Sequence, residues 1–108
     1  MELKGYKEGN AFVVKANGRL DTISAPEFEK SLSKWMEQGK SKFILDLEGL
    51  EYISSAGLRS ILLSAKRLKA VKGTLAFCCL SPMVAEVFSL SNFGSLFALH
   101  DTLEKALS

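Results

Sequence analysis

Residues 46–58 read DLEGLEYISSAGL. The segment leading into them, Phe43-Ile44-Leu45-Asp46-Leu47, is apolar on both faces of an extended chain until its acidic end, the pattern of a central strand covered on both sides. The acidic end predicts a loop, and the loop delivers Ser54 and Ser55 to the first turn of an amphipathic helix. In that helix Leu58, Ile61, Leu62, Ala65 and Leu68 fall on one stripe, Arg59, Lys66 and Arg67 mark the wet side, and Leu63 stands off the stripe. A hydroxyl at such a helix start is a candidate phosphate acceptor. A phosphate on Ser55 would meet free backbone N–H groups and the positive end of the helix dipole, with Asp46, Glu48 and Glu51 close in sequence.

Upstream, Leu3 to Tyr6 and Ala11 to Ala16 read as an antiparallel hairpin turning at Glu8-Gly9-Asn10. Ser24-Ala25-Pro26-Glu27 has capping-box spacing, and Phe28, Leu32, Trp35 and Met36 follow at helical intervals until Gly39 stops the helix. Beyond the central helix, Thr74 to Leu80 predicts a strand. Ser81-Pro82 caps a helix through Val84, Val87 and Phe88, which Asn92-Phe93-Gly94 ends. Leu96 to Leu99 reads as the last strand, and Asp101-Thr102-Leu103-Glu104 opens a short helix with Leu103, Ala106 and Leu107 inward. The order ββαβαβαβα implies right-handed crossovers and an α/β fold on a mixed, mostly parallel sheet, with the N-terminal hairpin as its antiparallel part and four helices.

Composition narrows the function. With 108 residues, 47% of them hydrophobic, the chain fits one domain spanning residues 1–108. The net charge of +2 and the single basic cluster, Lys66, Arg67, Lys69 and Lys72, argue against a nucleic-acid binder. No apolar run reaches transmembrane length and no signal segment is evident, so a cytoplasmic protein without membrane insertion is expected. Cys78 and Cys79 are adjacent; on a strand they would point to opposite faces, and they lack metal-site spacing, so they read as buried, reduced thiols, with a redox role as the lesser alternative.

An enzyme is a poor fit. Ser55-Ala56-Gly57 matches only the second half of a nucleophile elbow, because Ile53 stands where its first glycine belongs, and the only histidine, His100, lies just past the last predicted strand. No phosphate loop, dinucleotide loop, HExxH or CxxC is present, so no cofactor and no metal are expected. The chemistry of any phosphoryl transfer would come from another protein.

The fragments GRLDTISAPEFEK from Gly18 and DLEGLEYISSAGLRSIL from Asp46, together with the element order, resemble the STAS domain, specifically the stand-alone bacterial anti-sigma factor antagonists. The resemblance implies a protein that, unphosphorylated, binds an anti-sigma factor that is also a serine kinase, and so frees a sigma factor for transcription. Phosphorylation by that kinase ends binding, and a PP2C-type phosphatase reverses it. The acceptor two positions before the family's glycine is Ser55; many members carry aspartate just before it, where this chain has Ser54, the alternative acceptor. The implied partner-contacting surface comprises Asp21, Thr22, Ile23, Ser54, Ser55, Ala56, Gly57, Arg59 and Leu63.

Plainer readings stand beside these. Ser54 or Ser55 also suits a helix N-cap, a role compatible with phosphorylation. Asp46 suits a loop cap as well as a phosphosite neighbour, Asp21 a stabiliser of the approach to the first helix as well as a contact, and Leu63 an exposed leucine as well as an interface centre. At the level of function, a non-switching STAS scaffold in a sensor or membrane transport assembly, and a small hydrolase pairing Ser55 with His100, are the alternatives to the switch.

Overall fold

Each strand of the sheet pairs with the next one in the chain, so the spatial order is the sequence order. The computed structural model describes residues 1–108. β1 (Glu2–Glu8) and β2 (Ala11–Leu20) form the antiparallel hairpin; α1 (Ala25–Glu37), β3 (Lys42–Ile53), α2 (Ser55–Ala70), β4 (Thr74–Cys78), α3 (Pro82–Leu90), β5 (Ala98–His100) and α4 (Leu103–Leu107) follow in the expected order. All pairs after the hairpin are parallel. When successive parallel strands are laid down in one direction, crossovers of one hand put their helices on one face. Accordingly, Phe28 and Leu32 of α1, Ile61 and Leu68 of α2, and Val84 and Phe88 of α3 share a core with Phe12, Val14, Phe43, Leu45 and Phe77 of the sheet. The opposite face holds a small cluster, Ala11, Val13, Ile44 and Cys78, covered by α4 through Leu103, Ala106 and Leu107. No helix is long and apolar enough to cross a membrane.

Several local expectations need correction. β3 does not end at Leu47 in an acidic loop; it runs twelve residues to Ile53. The cause is β2, which continues to Leu20 and offers ladder partners throughout, while two register shifts absorb the extra residues of β3 and keep Leu50 and Ile53 turned to the core. Ser24 makes no side-chain cap on α1. Instead the Asp21 carboxylate accepts from the Ile23 and Ser24 N–H groups, both at 3.1 Å, and the Ser24 hydroxyl donates to Arg19 O at 2.7 Å. The buried stripe of α2 is Gly57, Ser60, Ile61, Ser64 and Leu68, and Leu62 is exposed. Ser60 stands there in place of a larger apolar group because α2 lies close to α1, its Oγ donating to Ala25 O at 3.2 Å. The last strand starts at Ala98, after a 3-10 turn over Phe93–Ser95. α4 is capped by Thr102, whose hydroxyl accepts from Lys105 N, and not by Asp101.

The cysteines differ most from expectation. β4 stops at Cys78, and Cys79 adopts φ of +62°. The pair therefore does not alternate across a strand: Cys78 is buried and Cys79 half-buried, with both sulfurs near Asp46. Burial raises both thiols above their ordinary pKa, with the Asp46 carboxylate adding to the effect.

Candidate functional site

Parallel pairing of β2 with β3 continues to Leu20 opposite Ile53, so the turn after one strand and the helix start after the other emerge side by side. They are stitched together where the Ser54 N–H donates to Leu20 O at 3.0 Å. Gly57 permits this contact. A Cβ there would stand 2.6 Å from Leu20 O and 2.9 Å from both Ile53 Cγ1 and Leu20 Cγ, too close for any side chain unless the backbone moves. The glycine of Ser-Ala-Gly is thus explained by the approach of α2 to the end of β2.

The two serines have different jobs. Ser54 is the N-cap of α2, in extended conformation, with its hydroxyl accepting from Gly57 N at 3.2 Å. Ser55 is the first helical residue, is exposed, and its hydroxyl has no partner in the protein. The N–H groups of the first turn have no helical acceptors, and that turn carries no acidic residue, so the local potential favours an anion. Ser55, Arg59 and Leu63 recur every four residues and lie along one exposed line of α2.

In the adjoining turn, Asp21 is committed to the backbone. The hydrogen bond from the Ser24 N–H is the main reason its carboxyl titrates below the ordinary value; Arg19, 3.7 Å away, adds a smaller pull. Arg19 itself lies over the Tyr52 ring, 4.2 Å from its centroid, bracing β2 against β3. What the turn displays is Thr22 and Ile23, the latter 89% exposed, an isolated apolar side chain at the tip.

The structure thus brings Asp21, Thr22, Ile23, Ser54, Ser55, Ala56 and Gly57 to one end of the sheet, with Arg59 and Leu63 continuing along α2. Asp46 does not join them: about 25 Å of extended chain separates it from Ser54 at ~3.3 Å per residue, and its Oδ1 accepts from Glu48 N at 3.1 Å while Lys15 stands 3.9 Å from Oδ2. His100 is not in the site either, since it pairs with Cys78, which pairs with Asp46. None of the three concavities of the molecule is lined by Ser54 or Ser55; the largest, about 640 Å³, lies between α2 and the β4–β5 edge. The site is a surface suited to contact. Gly57, expected among the contacts, is buried and supports the site from beneath, as does Ser60, which the sequence did not single out; a glycine at the third helical position after a serine cap was the available signal.

The STAS domain profile matches residues 3–106. The chain belongs to the STAS domain family. A relative from Bordetella bronchiseptica, BtrV, provisionally named an anti-sigma factor antagonist, is 39% identical over 106 residues, covering 98% of this chain and 91% of its own. The anti-sigma-B factor antagonist of Staphylococcus aureus is 25% identical over 86% of each chain. Among solved structures, a Thermotoga maritima protein, provisionally named an anti-sigma factor antagonist, superposes with a TM-score of 0.90 at 24% identity, over 97% of this chain and 91% of that one. The phosphorylated form of Bacillus SpoIIAA superposes at 0.75 and 24% identity, over 98% and 96%. At those identities the likeness of the structures is one of fold.

Proposed function

We propose that this STAS domain is an anti-sigma factor antagonist that works as a phosphoswitch on protein contact. In its unphosphorylated form it binds an anti-sigma factor serine kinase through the Asp21–Ile23 turn and the outer line of α2, and thereby frees a sigma factor. Phosphorylation of Ser55 ends the contact, and a PP2C-type phosphatase restores it. The observation that carries this reading is the division of labour between neighbours: the Ser54 hydroxyl is occupied by Gly57 N, whereas the Ser55 hydroxyl is exposed and free. The relative from Bordetella, 39% identical over nearly the whole chain, supports it by name.

Electrostatics supplies the mechanism. A phosphate adds about −1.5 to −2 charges to a docked face fitted to a neutral hydroxyl, and like-charge and desolvation penalties of several kcal/mol follow. The fold is not disturbed, because an anion at the first helical residue is favoured by the α2 dipole. Arg59, four residues on, comes within reach of that phosphate in the favourable acid-before-base orientation, so the modification also withdraws an exposed cation from the contact.

The test is to incubate the chain with the cognate kinase and ATP and map the product by mass spectrometry. One phosphate on Ser55, absent from Ser55→Ala, is expected, with Ser55→Ala still bound to the kinase. A phosphate confined to Ser54 refutes the site, and a complex that survives full phosphorylation refutes the switch.

A further inference from the structure

Away from the Ser55 surface, the thin face of the sheet carries an unusual row. Lys15, Asp46 and Cys78 stand opposite one another across β2, β3 and β4. At the next residue the chain turns into a left-handed conformation, φ +62° at Cys79, which non-glycine residues adopt rarely. Consecutive side chains on a continuing strand would diverge. Here the reversal gathers both Sγ atoms and a carboxylate oxygen of Asp46 within 4.8 Å of one another. Donors around a tetrahedral Zn²⁺, with Zn–S near 2.3 Å and Zn–O near 2.1 Å, stand roughly 3.5–3.8 Å apart, so only a small closing movement separates this triangle from a ligand set.

We propose that Asp46, Cys78 and Cys79 form a binding site for one thiophilic divalent cation, with Zn²⁺ the fitting ion and a water in the fourth position. Two sulfurs against one oxygen select a borderline-soft metal over Mg²⁺ or Ca²⁺, which require oxygen shells. Binding breaks two S–H bonds and forms two Zn–S bonds; the two protons leave to solvent, and no electron is transferred. The three anionic ligands and the dication leave one negative charge, which the Lys15 ammonium, 3.9 Å from Asp46 Oδ2, offsets. The Glu48 N–H, donating to Asp46 Oδ1, fixes the carboxylate and leaves its second oxygen for the ion, the usual role of an outer-shell donor.

Access is also provided. Lys15 is half-exposed and able to swing from Oδ2, Cys79 is only half-buried, and the cover is α4, a five-residue helix with no fully buried residue. An ion there ties β3 to the connection between β4 and α3. It thereby stabilises the folded chain by mass action, independently of any event at Ser55.

The experiment is a titration of the reduced, metal-stripped protein with Co²⁺, followed by Zn²⁺, with thermal unfolding recorded in parallel. A sulfur-to-cobalt charge-transfer band saturating at one ion per chain, abolished by Zn²⁺ displacement, and a Tm that rises with Zn²⁺ concentration are expected. Cys79→Ser, at a half-buried position outside the strand, should lose about half of the band intensity and bind at least about tenfold more weakly, since even outer-shell changes cost 10- to 100-fold. Asp46→Asn should keep both sulfurs and the band while weakening affinity by a similar factor. Absence of the band, its survival undiminished in Cys79→Ser, or saturation at one ion per two chains would overturn the proposal.

Discussion

The Asp21–Ser24 turn and the Ser54–Gly57 helix start are built alike and display different chemistry. In each, one polar side chain is spent on backbone N–H groups, Asp21 on Ile23 and Ser24, Ser54 on Gly57, and the residues that follow it are carried out to solvent. The first displays Thr22 and, at its tip, the large apolar Ile23; the second displays only a hydroxyl, Ser55, at the helix start. Under the proposed function such a surface would separate grip from control, with an apolar tip adding affinity that does not change with chemical state and a hydroxyl adding a position where charge is placed.

Five measurements test that contrast. Ser55→Asp is expected to weaken binding to the cognate kinase by about a hundredfold or more, ~3 kcal/mol, in a calorimetric titration, with the melting temperature unchanged. An equal loss from Ser54→Asp would erase the distinction between the serines. Gly57→Ala should destabilise the fold by about 1–3 kcal/mol in urea, because its methyl meets Leu20 O at 2.6 Å and pushes the two regions apart. Ile23→Ala should lower affinity by about 1–2 kcal/mol for the unphosphorylated chain while leaving stability within about 0.5 kcal/mol. Ser54→Ala should cost about 1 kcal/mol of stability through the lost cap and still yield a chain phosphorylated at Ser55. The smallest effect is in acid. The folded-state pKa of Asp21 lies below its unfolded value, so its stabilising contribution is complete above the ordinary carboxylate range and fades as pH falls toward the depressed value. Asp21→Asn should remove that part of the acid sensitivity, seen as a smaller loss of stability on acidification in urea titrations.

Legibility in the sequence followed how local the cause was. Ser81 before Pro82, the stop at Gly39 and the alternation of strands and helices depend on neighbours a few residues away, and they read correctly. The length of β3 depends on β2 lying alongside it, so Glu48 to Glu51 looked like a loop when they were strand residues paired through two register shifts. Ser24 had a capping box on paper, yet Asp21, three residues earlier, had already taken its N–H. In α2 the burial of Ser60 while Leu62 is exposed follows from the closeness of α1, which hydropathy does not encode. Ser64 Oγ is buried without a hydrogen-bond partner, and nothing in the structure explains why a hydroxyl is kept there. The convergence of Cys78 and Cys79 rests on a single left-handed residue, which no spacing rule anticipates. That the Asp21–Ile23 turn and the Ser54–Leu63 segment adjoin came from the family resemblance and not from spacing; which of these residues hold the backbone and which face outward was not legible at all.

Because the sheet is stacked in the order in which its strands occur, no strand waits for a later one to be inserted beside it. Every pairing closes a loop no longer than one helix and its turns, which keeps the topological search short for a sheet that is mostly parallel. During synthesis each strand can meet a finished neighbour as it emerges, so the sheet can grow in one direction away from the β1 edge. New copies therefore spend little time in aggregation-prone intermediates that leave strand edges unpaired.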